Sequence, residues 1–411
     1  MNRYDVAVVG AGPVGSFVAK KIATEGYKVL IIEEHKKVGM PLKCAGLVTT
    51  RVFDLGDFSK KNVVQNKIYG ANIHSPSGNT LSIGGDKAHA LAIARSMFDE
   101  EIVKQAKNKG ADVFLESKVN TAQETTKEII LNLKQKETTR QISCNLLIGA
   151  DGANSKIRKA FNFPQPREIL QGIGAEAKDT NLDPKYVEIF VGNKIAPGFF
   201  AWIIPTNNKG TEARVGLCIP QNSRHPPKHY FSKMFTNDVS SYFLKDAEIT
   251  QHIGGSIPFG PLKKTVDQNV MLVGDAAAQV KPTSGGGIYM GLLCAKHCSS
   301  VAIEALNKKT FNIQTLKKYH NLWTSDIGRE LQLGMKFRRI FKKLSDKQID
   351  KYVKKLNNQK IIDIINRYGD IDYPSKLLFP LVKKAPSLLR VLLPFVKPKK
   401  NQRFDGGGGG T

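Results

Sequence analysis

Apolar residues open the chain in one short run, Tyr4–Val9, that stops at Gly10. A run of that length closed by glycine predicts a strand buried on both faces, as in a parallel sheet. Ser16–Glu25 then places Ala and Val on one side at helical spacing and ends before Gly26. Lys28–Ile32 is a second apolar run, closing with Glu33. Two later segments repeat the form: Asn145–Lys159 reads NLLIGADGANSKIRK and Asn269–Ile288 reads NVMLVGDAAAQVKPTSGGGI. Between 167 and 257 the pattern changes to alternation with Gly and Pro breaks, clearest at Val187–Val191, Phe199–Ile204 and Ala213–Ile219. That pattern predicts antiparallel strands of a second sheet. Further on, Glu330–Ser345 sets Phe337, Ile340, Phe341 and Leu344 at helical spacing. Lys336, Arg338, Arg339, Lys342 and Lys343 fill the remaining face, which predicts a basic amphipathic helix. In Tyr373–Arg403 the apolar clusters Leu377–Val382 and Leu388–Val396 are interrupted by Pro380, Pro386 and Pro394, which predicts short helices joined by kinks.

The first strand delivers Gly10-Ala11-Gly12-Pro13-Val14-Gly15, a GxGxxG turn, to the start of a helix. Glu33 follows at the end of the second strand. A bare GxGxxG is weak, but strand, turn, helix, strand and acid in this order predict a dinucleotide cradle. Gly10 permits the turn, Gly12 lets backbone approach a diphosphate at the helix N-terminus, and Gly15 permits close packing of helix on strand. Glu33 is the expected partner of an adenosine ribose, with Glu34 one residue further out. The two later runs present Asp151-Gly152 with Ser155 and Arg158, then Gly274-Asp275 with Gly285-Gly286-Gly287. Asp275 suits a ribityl hydroxyl, and bare backbone at Gly286, Gly287 and Ile288 suits the edge of a flat ring.

This trio of motifs resembles that of the p-hydroxybenzoate hydroxylase type of FAD-dependent oxidoreductases, over residues 1 to about 330. The resemblance implies FAD, and it brings Arg95 toward the flavin or its diphosphate. Val119 is counted with the cofactor-contacting residues. The expected fold class is α/β. A Rossmann-like FAD-binding domain is built from 1–165, with an insertion near 62–90, and from 263–330. An antiparallel-sheet substrate domain spans 166–262, a basic helical region 331–405 and a flexible tail 406–411. No second strand–GxGxxG–helix unit follows, so the external reductant, whether NADPH, a reduced deazaflavin or ferredoxin, is left open.

Two stretches narrow the resemblance. Gly39–Val48 reads GMPLKCAGLV, and its Cys44-Ala45-Gly46 is similar to the segment that lies beside the flavin in geranylgeranyl reductases. Pro197–Pro205 reads PGFFAWIIP and holds one of the chain's 2 tryptophans. That family carries PxxYxWxFP here. Pro197, Trp202 and Pro205 match, Phe200 replaces the Tyr and Ile204 replaces the Phe. The resemblance is nearest to the archaeal digeranylgeranylglycerophospholipid reductases, which saturate isoprenoid chains of membrane lipids. It implies that Pro197, Phe200, Trp202, Ile204 and Pro205 contact a prenyl chain. By alternation, Phe200, Trp202 and Ile204 share one face; a plain core between sheet and helices is the other reading of the ribbon. Cys44 either relays a proton to the alkene or packs against the flavin. An aromatic monooxygenase of the same superfamily and a flavin-carrying binding protein without turnover are the competing functions.

Composition adds a compartment and a surface. The 411 residues carry 62 Lys and Arg against 36 Asp and Glu, a net charge of +26. Such a charge suits an anionic partner. No RNP-like motif or aromatic interleaving is present, so an anionic membrane surface is the expected partner rather than nucleic acid. The 5 cysteines include no CxxC pair, which argues against a disulfide scaffold and a zinc site. No metal is expected. With no signal peptide before the first strand and no long apolar span, the expectation is a cytoplasmic protein, peripheral on the inner face of the membrane. An electron-donor protein is a possible partner and a monomer the expected state.

Overall fold

The computed structural model describes residues 2–126, 128–136 and 138–384. Asn2–Val9 lies at the heart of an eight-stranded sheet. It pairs in parallel with Val29–Ile32 on one side and with Thr138–Gly149 on the other. Val270–Leu272 and Asp112–Phe114 extend the parallel part, while Ser117–Glu124 and Ile129–Gln135 form an antiparallel extension. Two cores sandwich this sheet. Helices Pro13–Thr24, Arg95–Asn108, Ile288–Lys308 and Ile313–Trp323 bury Phe17, Phe98, Cys294, Cys298 and Trp323 on one face. Tyr4, Leu30, Leu131 and Leu147 fill the other. The strands that are fully buried are the ones that read as unbroken apolar runs.

The second sheet has seven strands, with Ala196–Pro205 between Tyr186–Gly192 and Glu212–Pro220. Its outer face packs Ile203, Val215 and Leu217 under helix Pro227–Lys233. The stretch near 62–90, expected as an insertion in the first domain, is shared out instead. Gly70–His74 and Thr80–Gly84 complete the second sheet, and Val64–Ile68 and Ala90–Ile93 form a small sheet with Leu47–Val48. Gly70–His74 runs parallel to Tyr186–Gly192, so the sheet is not wholly antiparallel. His74 Nε2 and Glu188 form a buried hydrogen-bonded pair across this junction, and Asn72 Nδ2 donates to the same carboxylate at 2.9 Å.

Beyond the cofactor motifs, a π turn at Thr324–Gly328 leads into helices Arg329–Phe341, Asp346–Leu356 and Gln359–Tyr368, then a short turn and Leu378–Lys384. The basic helix forms, and the face it buries is not the Phe337–Leu344 apolar stripe. Its buried residues are Glu330, Leu331, Gly334 and Arg338, while Phe337 is 44% exposed. Gly334 carries no side chain because Pro282 lies against it, where a Cβ would be 2.9 Å away. Arg338 is buried because Glu168 meets it with two hydrogen bonds, at 2.8 and 2.9 Å. A glycine and a charged residue give a buried stripe no apolar signature. The expected cluster Leu388–Val396 and the tail 406–411 lie outside the described residues.

Candidate active site

The turn after the first strand is shaped by contacts only glycine permits. Gly10 has φ +107°, and a Cβ there would lie 2.4 Å from the Ala150 carbonyl oxygen. At Gly15 it would lie 2.1 Å from Gly10 O. Gly12 faces open space at the N-terminus of helix Pro13–Thr24, where a diphosphate is favoured. Glu33 is oriented by the Ala11 N–H, which donates to Oε2 at 2.9 Å, and by the His35 N–H, which donates to Oε1 at 3.0 Å. The carboxylate keeps lone pairs for a ribose hydroxyl. Glu34, Ser117, Lys118 and Val119 line the same end. The part played by His35 has no sequence signal beyond its position two residues after the acid.

The DGxxSxxR motif is mainly a clamp. Asp151 borders the cavity, but its carboxylate caps helix Lys156–Ala160, accepting from Ser155 Oγ, Lys156 N and Ile157 N at 2.5, 2.6 and 3.1 Å. Burial pushes the Asp151 carboxyl up, and these donors pull it back. Arg158, 1% exposed, donates to Ala153 O at 2.6 Å and to Ala276 O at 3.0 Å. It thereby ties this loop to the Gly274-Asp275 loop.

Asp275 lines the cavity, and burial pushes its carboxyl up to about 6, opposed by the Arg95 charge. A Cβ at Gly287 would lie 2.8 Å from Asp275 Oδ1, so the bare glycine leaves that carboxylate room. Gly286, Gly287 and Ile288 present themselves to the same space. Arg95 borders it too, held by Asp99 at 2.8 Å. Gly15 and Gly274, expected among the cofactor contacts, stand behind the lining instead. Gly274 has φ +68° and packs on Val14, while its N–H donates to Gln279 Oε1 at 2.8 Å.

Cys44-Ala45-Gly46 forms the next stretch of wall. The segment is held from the second sheet by Arg214, 3% exposed, which donates to Ala45 O, Ile93 O and Gln65 Oε1 at 3.0, 2.8 and 2.6 Å. The Gly46 N–H donates to Cys44 Sγ at 3.4 Å. Sequence reasoning misses Arg214 because, within an apolar strand, it reads as an edge residue.

Beyond this point the wall becomes hydrocarbon. Phe200, Trp202 and Ile204 line it together, as alternation requires, with Val187, Ile189 and Ile257 alongside. Trp202 lies across Gly216, its strand partner, where a Cβ would be 2.7 Å from the indole. Phe199 joins the lining out of turn, stacked on Phe200 at 4.2 Å, beside a register shift that interrupts the pairing with Val191 and Gly192. Pro197 and Pro205, expected to touch the prenyl chain, do not line the cavity. Pro205 is at an odd position of the regular stretch whose even residues face it, and Pro197 falls within the register shift.

The C-terminal helical region closes the far side through Ile365, Ile371 and Leu377. Nothing in the sequence pattern marks this strap as part of the site. It is anchored by Lys281, 5% exposed, whose Nζ donates to Asp372 Oδ1 at 2.7 Å and to Ile371 O at 3.0 Å. The resulting cavity, about 1180 Å³, runs unbroken from the glycine turn to the hydrocarbon wall. Ligand clefts usually span ~300–1,000 Å³, so this one has room for a cofactor and part of a second molecule. Among the described residues, no group of three or more His, Cys, Asp and Glu is placed to hold a metal.

A diphosphate-ready helix end, a ribose-ready acid, a buried carboxylate and a bare glycine loop lie along one cavity, and this set fits FAD. Fold and site together define a flavoprotein oxidoreductase with a Rossmann-like cofactor domain. The family model described as FAD binding domain matches residues 3–296. Among relatives, an uncharacterised Methanocaldococcus jannaschii protein, MJ1520, is 35% identical over 93% of this chain and 95% of its own length. The digeranylgeranylglycerophospholipid reductase of the same organism is 31% identical over 94% of this chain and 97% of its own. The solved geranylgeranyl bacteriochlorophyll reductase-like protein of Thermoplasma acidophilum superposes with TM-score 0.85 at 23% identity, over 96% of this chain and 100% of that one. The chain belongs to the digeranylgeranylglycerophospholipid reductase family of FAD-binding proteins.

Proposed function

We propose that this protein is an FAD-dependent reductase that saturates the double bonds of geranylgeranyl chains on archaeal-type membrane lipid precursors, working as a peripheral protein on an anionic membrane surface. The observation that carries the reading is the continuity of the cofactor cradle with the hydrocarbon wall of Phe200, Trp202 and Ile204. A prenyl chain offers no polar handle. Each buried methylene contributes roughly 0.8 kcal/mol, so an apolar wall alone binds it.

Gly10, Gly12, Glu33, Arg95, Asp275 and Gly286–Ile288 would hold the FAD, which, when bound and reduced, supplies the hydride for one alkene carbon. The wall and the strap exclude water and limit the chain to lying along the cavity, where alignment lowers the barrier. The other carbon needs a proton. Cys44 Sγ lies in the wall segment between the cradle and the hydrocarbon face, next to Lys43, and we assign it to holding or positioning that proton. Arg214 keeps the segment in place. The positive charge of the chain supports attachment to anionic lipid.

The test is anaerobic incubation of FAD-loaded, dithionite-reduced protein with digeranylgeranylglyceryl phosphate, read by mass spectrometry. The expected product has gained one H₂ for each double bond reduced. Recovery of unchanged lipid, or oxygen insertion into an aromatic compound under air with NADPH, would overturn the reading.

A further inference from the structure

Among the described residues most large apolar side chains are buried, but two exceptions fall in the strap that closes the cavity. Ile371 is 45% exposed and also lines the cavity. Phe379, outside the lining, is 74% exposed, the highest value among the exposed large hydrophobics of the described residues. Lone exposed apolar residues are ordinary on a soluble surface. These two differ in being part of one short segment that is firmly held.

Asp370 accepts from Arg51 at 2.7 and 3.0 Å and from Lys376 at 3.0 Å. Asp372 accepts from Thr49 Oγ1 at 2.6 Å, Lys281 Nζ at 2.7 Å and Arg51 at 3.2 Å. Ile371 is therefore presented between two anchored carboxylates. Leu377 lines the cavity, and Leu381 packs inward with Ile361 and Ile364, which leaves Phe379 on the outer side of helix Leu378–Lys384. The strap thus carries apolar side chains on both sides, Ile371 and Leu377 toward the cavity and Phe379 on the outside.

The charge on this segment has one sign. Tyr373–Lys384 contains Lys376, Lys383 and Lys384 and no acid. The acids before it, Asp370 and Asp372, are already paired, Asp370 in part with Lys376, which leaves Lys383 and Lys384 with no acid in this stretch. The sequence continues to Arg403 with Arg390, Lys397, Lys399 and Lys400 and again no acid. An exposed aromatic among lysines suits the boundary between headgroups and acyl chains of an anionic leaflet.

We propose that the strap face bearing Ile371 and Phe379 is the surface by which this protein docks on an anionic lipid bilayer, so that a prenyl chain passes from the leaflet past Leu377 into the cavity. The inference rests on the prenyl-lipid reading above. It adds the face, the anchoring side chain and the route of entry.

The experiment uses the full-length FAD-loaded protein with vesicles of phosphatidylglycerol or of phosphatidylcholine. Co-sedimentation with phosphatidylglycerol vesicles is expected to fall about tenfold or more in Phe379→Ser, from loss of one buried aromatic side chain. It is expected to be unchanged in Tyr242→Ser, which removes a 68% exposed aromatic remote in sequence from the strap. In Phe379→Trp the added indole emission shifts to the blue when phosphatidylglycerol vesicles are added. Undiminished sedimentation of Phe379→Ser overturns the proposal. So does an added emission in Phe379→Trp that is already blue-shifted before vesicles are present, which would mean that the chain's own later residues cover this site. Reduction of detergent-dispersed digeranylgeranylglyceryl phosphate separates the two readings. Equal rates for wild type and Phe379→Ser, with a loss only on vesicle-borne lipid, support docking. No reduction by either form defeats the reductase reading, while the vesicle measurements still decide docking.

Discussion

Arg338 permits a quantitative prediction. Its guanidinium makes two bonds to Glu168, at 2.8 and 2.9 Å, and a third to the Gly198 carbonyl at 2.8 Å. It lies 5.2 Å from the Phe199 ring and 4.9 Å from the Phe259 ring. Arg338→Met keeps much of the volume and removes every one of these bonds. Stripping one partner from a buried pair costs ~3–5 kcal/mol. Glu168 keeps Lys342 at 2.8 Å and is itself partly exposed, so the lower end applies, about 3 kcal/mol. At roughly 2 °C per kcal/mol for a long chain, Tm should fall by about 6 °C. The double variant Arg338→Met with Glu168→Gln should recover part of the loss, because the half-buried carboxylate that has lost Arg338 is then neutral, while the more exposed Lys342 is left to solvent.

The pH dependence has a definite sign. Burial pushes the Glu168 carboxyl up, but the hydrogen bonds and charges of Arg338 and Lys342 together outweigh it and hold the carboxyl below its ordinary value. A depressed acid contributes its stability in full above the unfolded value, about 4.3, and loses it as pH falls through the lower folded value. The gap between wild type and Arg338→Met should therefore be flat from pH 8 to 5 and close only below about pH 4. Urea unfolding followed by tryptophan fluorescence measures it. A gap under about 1 kcal/mol at pH 7, or one that narrows between pH 8 and 6, would refute the assignment of Arg338 as a buried structural partner of Glu168.

Two further outcomes follow from the cofactor cradle. Gly10→Ala forces a methyl within 2.4 Å of Ala150 O at a φ of +107°, so FAD affinity should drop about tenfold or more while circular dichroism keeps the α/β signature; flavin retained through gel filtration would contradict this. The raised Asp275 carboxyl, at about 6, charges only as pH rises through that value, and a ribityl hydroxyl donated to the carboxylate favours the charged form. FAD affinity should accordingly increase as pH rises from 5 to 7, and Asp275→Asn should flatten the profile in a fluorescence titration.

The alternation of Phe200, Trp202 and Ile204 and the strand–glycine–helix order around Gly10 are legible because they are local: both depend on residues a few positions apart whose geometry the backbone dictates. Motif membership is a weaker guide than that geometry. Pro197 and Pro205 belong with the wall by motif, although strand parity turns Pro205 away from it and Pro197 falls in the register shift. Asp151 belongs with the cofactor by motif, although its carboxylate is engaged by the helix it starts.

By itself, then, the order of residues determined that a parallel sheet would carry a dinucleotide turn, that a second sheet would offer an aromatic face, and that the surface would be strongly basic. Tertiary structure alone decided that Arg338 goes inside, that Arg214 reaches the Cys44 segment, and that Lys281 and Asp372 join regions 91 residues apart to close the cavity. Each is a charged side chain whose burial depends on a partner distant in sequence. Desolvating such a group is unfavourable until that partner arrives, and no periodicity in the chain announces the meeting.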